Sequence, residues 1–307
     1  MFAEPKSIPP LQSQPYPFCT ERTNSHSPHN HLHFSLGDSF CLAGKTLQVY
    51  YREEQLQQFF RDIFPHLLTT DKTIQADLSV KLWRENGSTC AVIGDRLMRT
   101  TGSIDLILSW IVAEFVDKTY RKRGCLAVLH SGAVGYAGRG IVVAGASGSG
   151  KSTLVAALQQ AGFSYLSDDV CPLSLDTGEI IPVPISQSIK KGSWELLEKS
   201  IPSFKNQIAM IDRQKEIRYL PPQVGGMADW KKPWPVETII FPEYLPQAPT
   251  KLSPISPLKA ILSLIHTGSL CGNSFRNFFN WVEAKQSYTL TYSSLEDATE
   301  VIIRNCL

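Results

Sequence analysis

The chain has 307 residues, of which 43% are apolar and 19% are charged, and its net charge is +2 at pH 7. This composition allows one large or two modest domains and excludes both wholesale disorder and a fibrous protein. A net charge so close to zero predicts no binding to nucleic acid or to an anionic membrane through a general positive field. Any anion that the protein binds must therefore be held locally.

The cysteines and the apolar runs indicate in which cellular compartment the protein is expected. Seven cysteines lie far apart, with no Cys-x-x-Cys pair, which fits neither a disulfide framework nor a zinc site. The most apolar stretch, residues 104–116, contains Asp105 and Glu114 and is shorter than the roughly 20 residues that a bilayer requires. No signal-peptide pattern is present, so we expect a cytoplasmic protein without a membrane partner.

The first 123 residues predict an arm and a small domain. Residues 1–30 are rich in Pro, Ser, Asn and His and predict a flexible N-terminal arm. Residues 31–123 predict a β-rich N-terminal domain, because short strand-like runs alternate with turn signals around one helix over 53–68. A second helix with a single apolar face, residues 104–115, is expected to pack on the sheet of the next domain.

Four histidines in or just after the arm could capture a metal ion, but they have no cysteine partners. A polar segment that leads into a strand is the favoured interpretation. These histidines are His26, His29, His31 and His33.

Residues 124–307 contain the most specific motif in the chain. The sequence GASGSGKST follows an apolar strand and opens a helix, which is the context that the phosphate-loop pattern G-x-x-x-x-G-K-[ST] requires. Its glycines let backbone N–H groups converge on a polyphosphate, and the helix adds its positive end. The residues expected to bind the nucleotide are Gly145, Ala146, Ser147, Gly148, Ser149, Gly150, Lys151, Ser152 and Thr153.

Two carboxylates follow the loop and its helix. Lys151 is expected to contact the β- and γ-phosphates, and the Ser152 hydroxyl to ligate Mg²⁺. A short strand then ends in Asp168 and Asp169, whose side chains point to opposite sides of an extended chain. One carboxylate can face the metal and the other the acceptor, and phosphoryl transfer needs both a metal ligand and a base.

Taken with His130, the loop and the two aspartates resemble the catalytic core of the HPr kinase/phosphorylase family, whose nucleotide fold is akin to that of phosphoenolpyruvate carboxykinase. The runs PVPISQSIKKGSWELL, IRYLPP and IIFPEY are closer still to HPr-kinase-like kinases found beside bacterial peptide-tailoring genes. The resemblance covers residues 125–245 and implies an α/β fold: a P-loop kinase domain preceded by the smaller β-rich domain.

The resemblance also implies roles for individual residues. Asp168 is the base for the acceptor hydroxyl, His130 stabilises charge on the acceptor side, and Asp169 is a metal ligand or a supporting carboxylate. Where the HPr enzyme has a Glu-x-Arg-Gly element, this chain has Ser188 to Gly192. The Glu is missing, Lys191 replaces the basic group without the fork of an arginine, and reverse phosphorolysis stays open.

Two further sets of residues have alternative interpretations. Arg218, and with weaker support Arg213, are candidates for a second positive contact on the transferred phosphoryl group, the alternative being exposed charges in a hairpin. Trp230 and Trp234 could form a stacking platform, but a proline-stiffened packing loop is favoured.

The sequence thus predicts an enzyme that uses ATP and Mg²⁺ to phosphorylate a hydroxyl, most simply that of a serine in a peptide or protein. A nucleotide-hydrolysing switch and a nucleotide-binding module without chemistry are the alternatives, since all three share the loop. Three points stay open. They are the identity of the acceptor, the nucleobase that the triphosphate carries, and the oligomeric state, for which a homo-oligomer is possible.

Overall fold

The computed structural model describes residues 19–22, 32–42, 44–70, 75–101, 104–119, 125–212, 215–223, 225–270 and 275–306. Within these ranges the chain is a mixed α/β protein with four sheets. No helix in this described part is long and apolar enough to cross a membrane. His26, His29 and His31 lie outside the described residues, and His33 is exposed.

The N-terminal part is a seven-stranded sheet with two helices. Its elements are β1 (Cys19–Arg22), β2 (Leu36–Leu42), β3 (Lys45–Tyr51), α1 (Glu54–Ile63), β4 (Leu68–Thr69), β5 (Leu78–Glu85), β6 (Ser88–Ile93), β7 (Arg96–Thr100) and α2 (Asp105–Thr119). The strand order is β1-β7-β6-β5-β3-β2-β4, and β3 and β5 pair in parallel. The prediction of a flexible arm is corrected at β1, which pairs antiparallel with β7 because that strand offers a free edge of backbone donors and acceptors.

The second part contains the other three sheets. Its elements are β8 (Cys125–Leu129), β9 (Ser131–Tyr136), β10 (Arg139–Ala144), α3 (Lys151–Gln160), β11 (Ser164–Ser167), β12 (Cys171–Ser174), β13 (Gln187–Lys190), α4 (Trp194–Ser200), β14 (Ala209–Asp212), β15 (Lys215–Leu220), α5 (Met227–Trp230), β16 (Val236–Tyr244), β17 (Lys251–Pro254), α6 (Pro257–Thr267), β18 (Gly268–Leu270), α7 (Phe275–Glu283), β19 (Gln286–Tyr292) and α8 (Leu295–Cys306). Two small sheets have the orders β12-β8-β18 and β13-β15-β14.

The six-stranded sheet, with the order β11-β9-β10-β16-β19-β17, is covered on both faces. Ile141 and Val143 of β10 face a core shared with α3 and α8, whereas Val142 and Ala144 face a core shared with α6 and α7. Burial on both faces explains why β10 is an uninterrupted apolar run. Because β10, β16 and β19 are parallel, their carboxyl ends meet at one edge of the sheet.

Helix α2 packs on the N-terminal sheet. Ile107 and Ile111 are buried in the same core as Val49 and Val80 of the N-terminal strands. The helix also contacts β14 of the next part, so the expectation that it packs on the sheet of the next domain holds only at that strand. The N-terminal core also includes Tyr219 of β15, so the two parts share one apolar interior.

Candidate functional site

The glycine-rich loop, Gly145–Gly150, connects β10 to α3. Gly145, Gly148 and Gly150 have φ angles of 151°, 90° and 96°, a region that side-chain-bearing residues rarely adopt. Gly150 precedes the first residue of α3, so the loop leads directly into the first turn of the helix, whose N–H groups have no partner within the helix. This is the strand–loop–helix geometry that favours binding of an anion.

Lys151 is the first residue of α3 and is only 6% exposed. Its ammonium group donates to the carbonyl oxygens of Gly145 at 2.9 Å and Ala146 at 3.2 Å. Burial lowers the pKa of Lys151, while the negative charges of Asp169 and Asp168 raise it in part. An ammonium group has three donors, so Lys151 keeps one more for an anion that enters the loop.

Asp168 follows β11 and is 1% exposed, yet neither of its carboxylate oxygens has a hydrogen-bond partner within normal geometry in the described structure. Its Oδ1 lies 3.3 Å from the position that a Cβ would occupy on Gly132. Burial and then the charge of Asp169 raise the pKa of Asp168 well above its usual value, against smaller lowering effects of Ser152 and Lys151. A buried carboxylate with two open acceptor sites is suited to receive a proton.

We expect this burial to cost stability, so Asp168→Asn is a stabilising change. The pKa of Asp168 is higher in the folded state than in the unfolded state, so stability is lost as the pH rises above the unfolded value of roughly 4. Thermal unfolding without nucleotide should show the variant about 3 °C or more above the wild type at pH 8, with a smaller gap at pH 5. A variant that unfolds at a lower temperature than the wild type at both pH values would show that the carboxylate is stabilising.

His130 and Asp169 lie beside Asp168 and form the partly exposed rim of the site. His130 lies between β8 and β9, and its Nδ1 is 3.0 Å from the carbonyl oxygen of Asp169. A carbonyl only accepts, so Nδ1 carries the proton and Nε2 faces the Asp169 carboxylate at 3.7 Å. Asp169 has a φ of 62°, and this left-handed turn separates its side chain from that of Asp168. Both rim side chains are near half exposed, in contrast to Asp168.

A lysine that the sequence interpretation did not select contacts the loop. Lys190, the last residue of β13, donates from Nζ to the Ser147 hydroxyl at 2.7 Å. Lys191 instead forms an exposed ion pair with Glu216 at 2.7 Å. In the structure Lys190, and not Lys191, contacts the loop, because the chain leaves β13 between the two residues. The adjacent lysines Lys190 and Lys191 are the feature of the sequence that could have indicated this contact with the loop.

Buried amides hold β13 against α3. Gln159 Nε2 donates to Gln187 Oε1 at 2.7 Å, and Gln187 Nε2 donates to the Ser152 carbonyl at 3.1 Å. Gln159 and Gln187 are both fully buried, so this chain of bonds is shielded from water. It fixes the strand that carries Lys190 relative to the helix that carries Lys151.

Arg218 is placed against α4. Its guanidinium forms an ion pair with Glu198 and stacks on Trp194, with 3.9 Å from Cζ to the ring centroid. Trp194 in turn donates to the carbonyl of Ile189 at 2.9 Å. These contacts commit the Arg218 side chain to supporting β13 and α4, and a direct contact with a phosphoryl group remains a prediction.

The two tryptophans are packing residues, as favoured from the sequence. Trp230 donates to the carbonyl of Tyr165 at 2.7 Å, and Trp234 is buried with its indole N–H on the carbonyl of Asp229 at 2.8 Å. Arg213 lies outside the described residues. Ser152 and Thr153 lie in the first turn of α3, where the Thr153 hydroxyl bonds that of Ser193 at 2.7 Å.

Comparisons with known proteins give a distant structural neighbour. No protein-family model matches the chain, and no curated protein matches its sequence significantly. Among solved structures, the chain is similar to the HPr(Ser) kinase/phosphatase from Coxiella burnetii, with 13% identity and a TM-score of 0.29. The match covers 58% of this chain and 95% of that chain.

Proposed function

We propose that the protein transfers the γ-phosphoryl group of a nucleoside triphosphate, ATP in the first place, to a hydroxyl group of a serine in a peptide or protein. One observation carries the proposal. The Asp168 carboxylate is buried beside the glycine-rich loop, makes no hydrogen bond of normal geometry in the described structure, and interacts electrostatically with Lys151. A triphosphate in the loop puts its terminal phosphate between this carboxylate and the Lys151 ammonium.

The reaction follows from these groups. The acceptor oxygen attacks the γ-phosphorus, the bond from that phosphorus to the β–γ bridging oxygen breaks, and the nucleoside diphosphate leaves. The hydroxyl proton passes to Asp168, and the pKa of this carboxyl, which burial raises, makes its carboxylate a stronger base. Lys151 and Lys190 neutralise the charge that spreads over the phosphate oxygens.

The residues at the loop fit a magnesium ion that arrives with the nucleotide. Oxygen atoms are the ligands that Mg²⁺ prefers, and the Ser152 hydroxyl and the Asp169 carboxylate would hold it. No cluster of three or more His, Cys, Asp or Glu side chains able to hold a metal is found in the described ranges. This fits an ion bound mainly through substrate phosphates. When bound, the ion supplies charge neutralisation for the phosphates.

The fate of the γ-phosphate tests the proposal. The protein is incubated with γ-labelled ATP, Mg²⁺ and an array of serine peptides, beside matched peptides with alanine at each serine. Acid-stable label on serine peptides, absent from the alanine set, is the expected result. Release of all the label as inorganic phosphate would identify a hydrolytic switch, and absence of turnover would identify a binding module.

A further inference from the structure

Two tyrosines lie together at the sheet edge where the glycine-rich loop begins. Tyr244 is the last residue of β16 and Tyr292 the last of β19, and the two are directly paired in the parallel register. Their ring centroids are 5.7 Å apart at an angle of 71°, an edge-to-face arrangement that aromatic pairs favour. The carboxyl ends of β16 and β19 thus present an aromatic pair beside the end of β10.

This pair contacts the loop itself. A Cβ on Gly150 would lie 2.4 Å from the Tyr292 hydroxyl and 4.0 Å from the Tyr244 Cβ, so both tyrosines pack against the residue that precedes Lys151. Tyr292 is 1% exposed, whereas Tyr244 is 48% exposed. Tyr292 therefore anchors the pair, and Tyr244 offers its ring to the solvent next to the loop.

The chain around Tyr244 is held in place. The Leu245 amide donates to the carbonyl of Tyr292 at 2.9 Å, and the Ser293 hydroxyl donates to the carbonyl of Ala248 at 2.8 Å. These bonds tie the segment after β16 to the segment after β19. The exposed ring is consequently presented by a fixed backbone, which lowers the entropic cost of stacking against it.

The position of the carboxylates sets the direction of a bound nucleotide. Asp168 follows β11, which lies on the β9 side of β10, whereas Tyr244 lies on the opposite, β16 side. A terminal phosphate that faces Asp168 directs the nucleoside end of the same molecule to the other flank. We propose that the nucleobase stacks on Tyr244, an inference that rests on the proposed function of the loop and adds the base site to it.

Stacking recognises the face of a base rather than its edge, so every base offers a surface to Tyr244. Alanine substitution of a stacking aromatic typically weakens binding by roughly 5- to 150-fold. We therefore expect Tyr244→Ala to lower the affinity for ATP and for GTP by similar factors in that range. Tyr244→Phe, which keeps the ring, should bind both nucleotides like the wild type.

Inorganic tripolyphosphate is the decisive probe, because it has the phosphates of ATP and no base. Calorimetric titration should show tripolyphosphate binding unchanged in Tyr244→Ala and lost in Lys151→Ala. Tyr136→Ala is a matched control, since Tyr136 is also exposed but lies opposite Arg139, at the far end of β10. This control should bind ATP and tripolyphosphate as the wild type does.

The outcomes separate the base site from the proposed function. Equal losses of ATP and tripolyphosphate affinity in Tyr244→Ala, or no loss of ATP affinity, would overturn the base site and leave the phosphate loop standing. A wild type that binds neither compound would overturn the loop assignment and the base site with it. Selective loss of ATP affinity in Tyr244→Ala, in a protein that transfers no phosphate to peptides, would support the base site and overturn only the kinase.

Discussion

Lys151→Ala is expected to abolish phosphoryl transfer, with a loss of about 10²-fold or more in the single-turnover rate. The ammonium group is buried where α3 begins, so its contact with a phosphate is made in a poorly solvated space. Preorganised electrostatic contacts of this kind are worth roughly 3 kcal/mol, which corresponds to about 10²-fold in rate. The same change should weaken nucleotide binding, since Lys151 also meets the ground-state phosphates.

An exposed lysine supplies the control for this experiment. Lys259 lies on α6, away from the glycine-rich loop, and Lys259→Ala should transfer phosphate at the wild-type rate. Thermal unfolding of both variants checks that each is folded. If Lys151→Ala retains more than about a tenth of the wild-type rate, the assignment of the loop to the reacting phosphates is wrong.

Asp168→Asn and Asp169→Asn are expected to have different effects on the transfer rate and on nucleotide affinity. The first keeps the shape of the side chain but removes its basicity, so transfer should fall by roughly 10²- to 10⁴-fold with nucleotide affinity little changed. The second replaces a carboxylate with an amide, a poorer ligand for a hard cation, so the affinity for Mg²⁺-nucleotide should fall together with the rate.

Nucleotide affinity and single-turnover phosphorylation, measured for both variants, separate the two roles. Asp176→Asn, an exposed aspartate in a turn, is the matched control and should behave as the wild type. Equal losses of affinity in the two site variants would show that Asp168 and Asp169 do not have the separate roles assigned to them. Near wild-type transfer by Asp168→Asn would remove the base and favour the hydrolytic switch.

Local pattern predicted the elements around the loop well. The apolar run of β10, the glycines after it and the helix that begins at Lys151 follow from neighbouring residues. Helix α1 ends at Ile63 rather than at residue 68, because Phe64 precedes Pro65 and a residue before proline is driven out of the helical region.

Strand β9 was not predicted because two glycines resemble a turn signal. A Cβ on Gly132 would lie 2.6 Å from the Val155 Cγ2, and one on Gly135 would lie 2.6 Å from the ring of Trp234. The glycines are required by neighbours that are distant in sequence and approach the strand only in the folded protein. A single sequence gives no sign of such contacts.

The contacts of the charged and aromatic residues of the site likewise could not be predicted from the sequence alone. The carboxylates that hold Lys191 and Arg218, Glu216 and Glu198, come from β15 and α4. Which of two adjacent lysines reaches the loop depends on how β13 docks on α3, and this is fixed by a bond between the buried amides of Gln187 and Gln159, which are 28 residues apart in the chain. The pairing of Tyr244 with Tyr292 likewise depends on the order of strands in the sheet.

The pH dependence of transfer in the wild type and in Asp168→Asn tests the role of Asp168 most directly. With an acceptor peptide from the array, single-turnover rates are measured between about pH 5 and 9. The base must be ionised, so the wild-type rate should rise about tenfold per pH unit below the pKa of Asp168 and then level off. The slow residual rate of Asp168→Asn should lack this rise. The same rising limb in both proteins would contradict the assignment of Asp168 as the base.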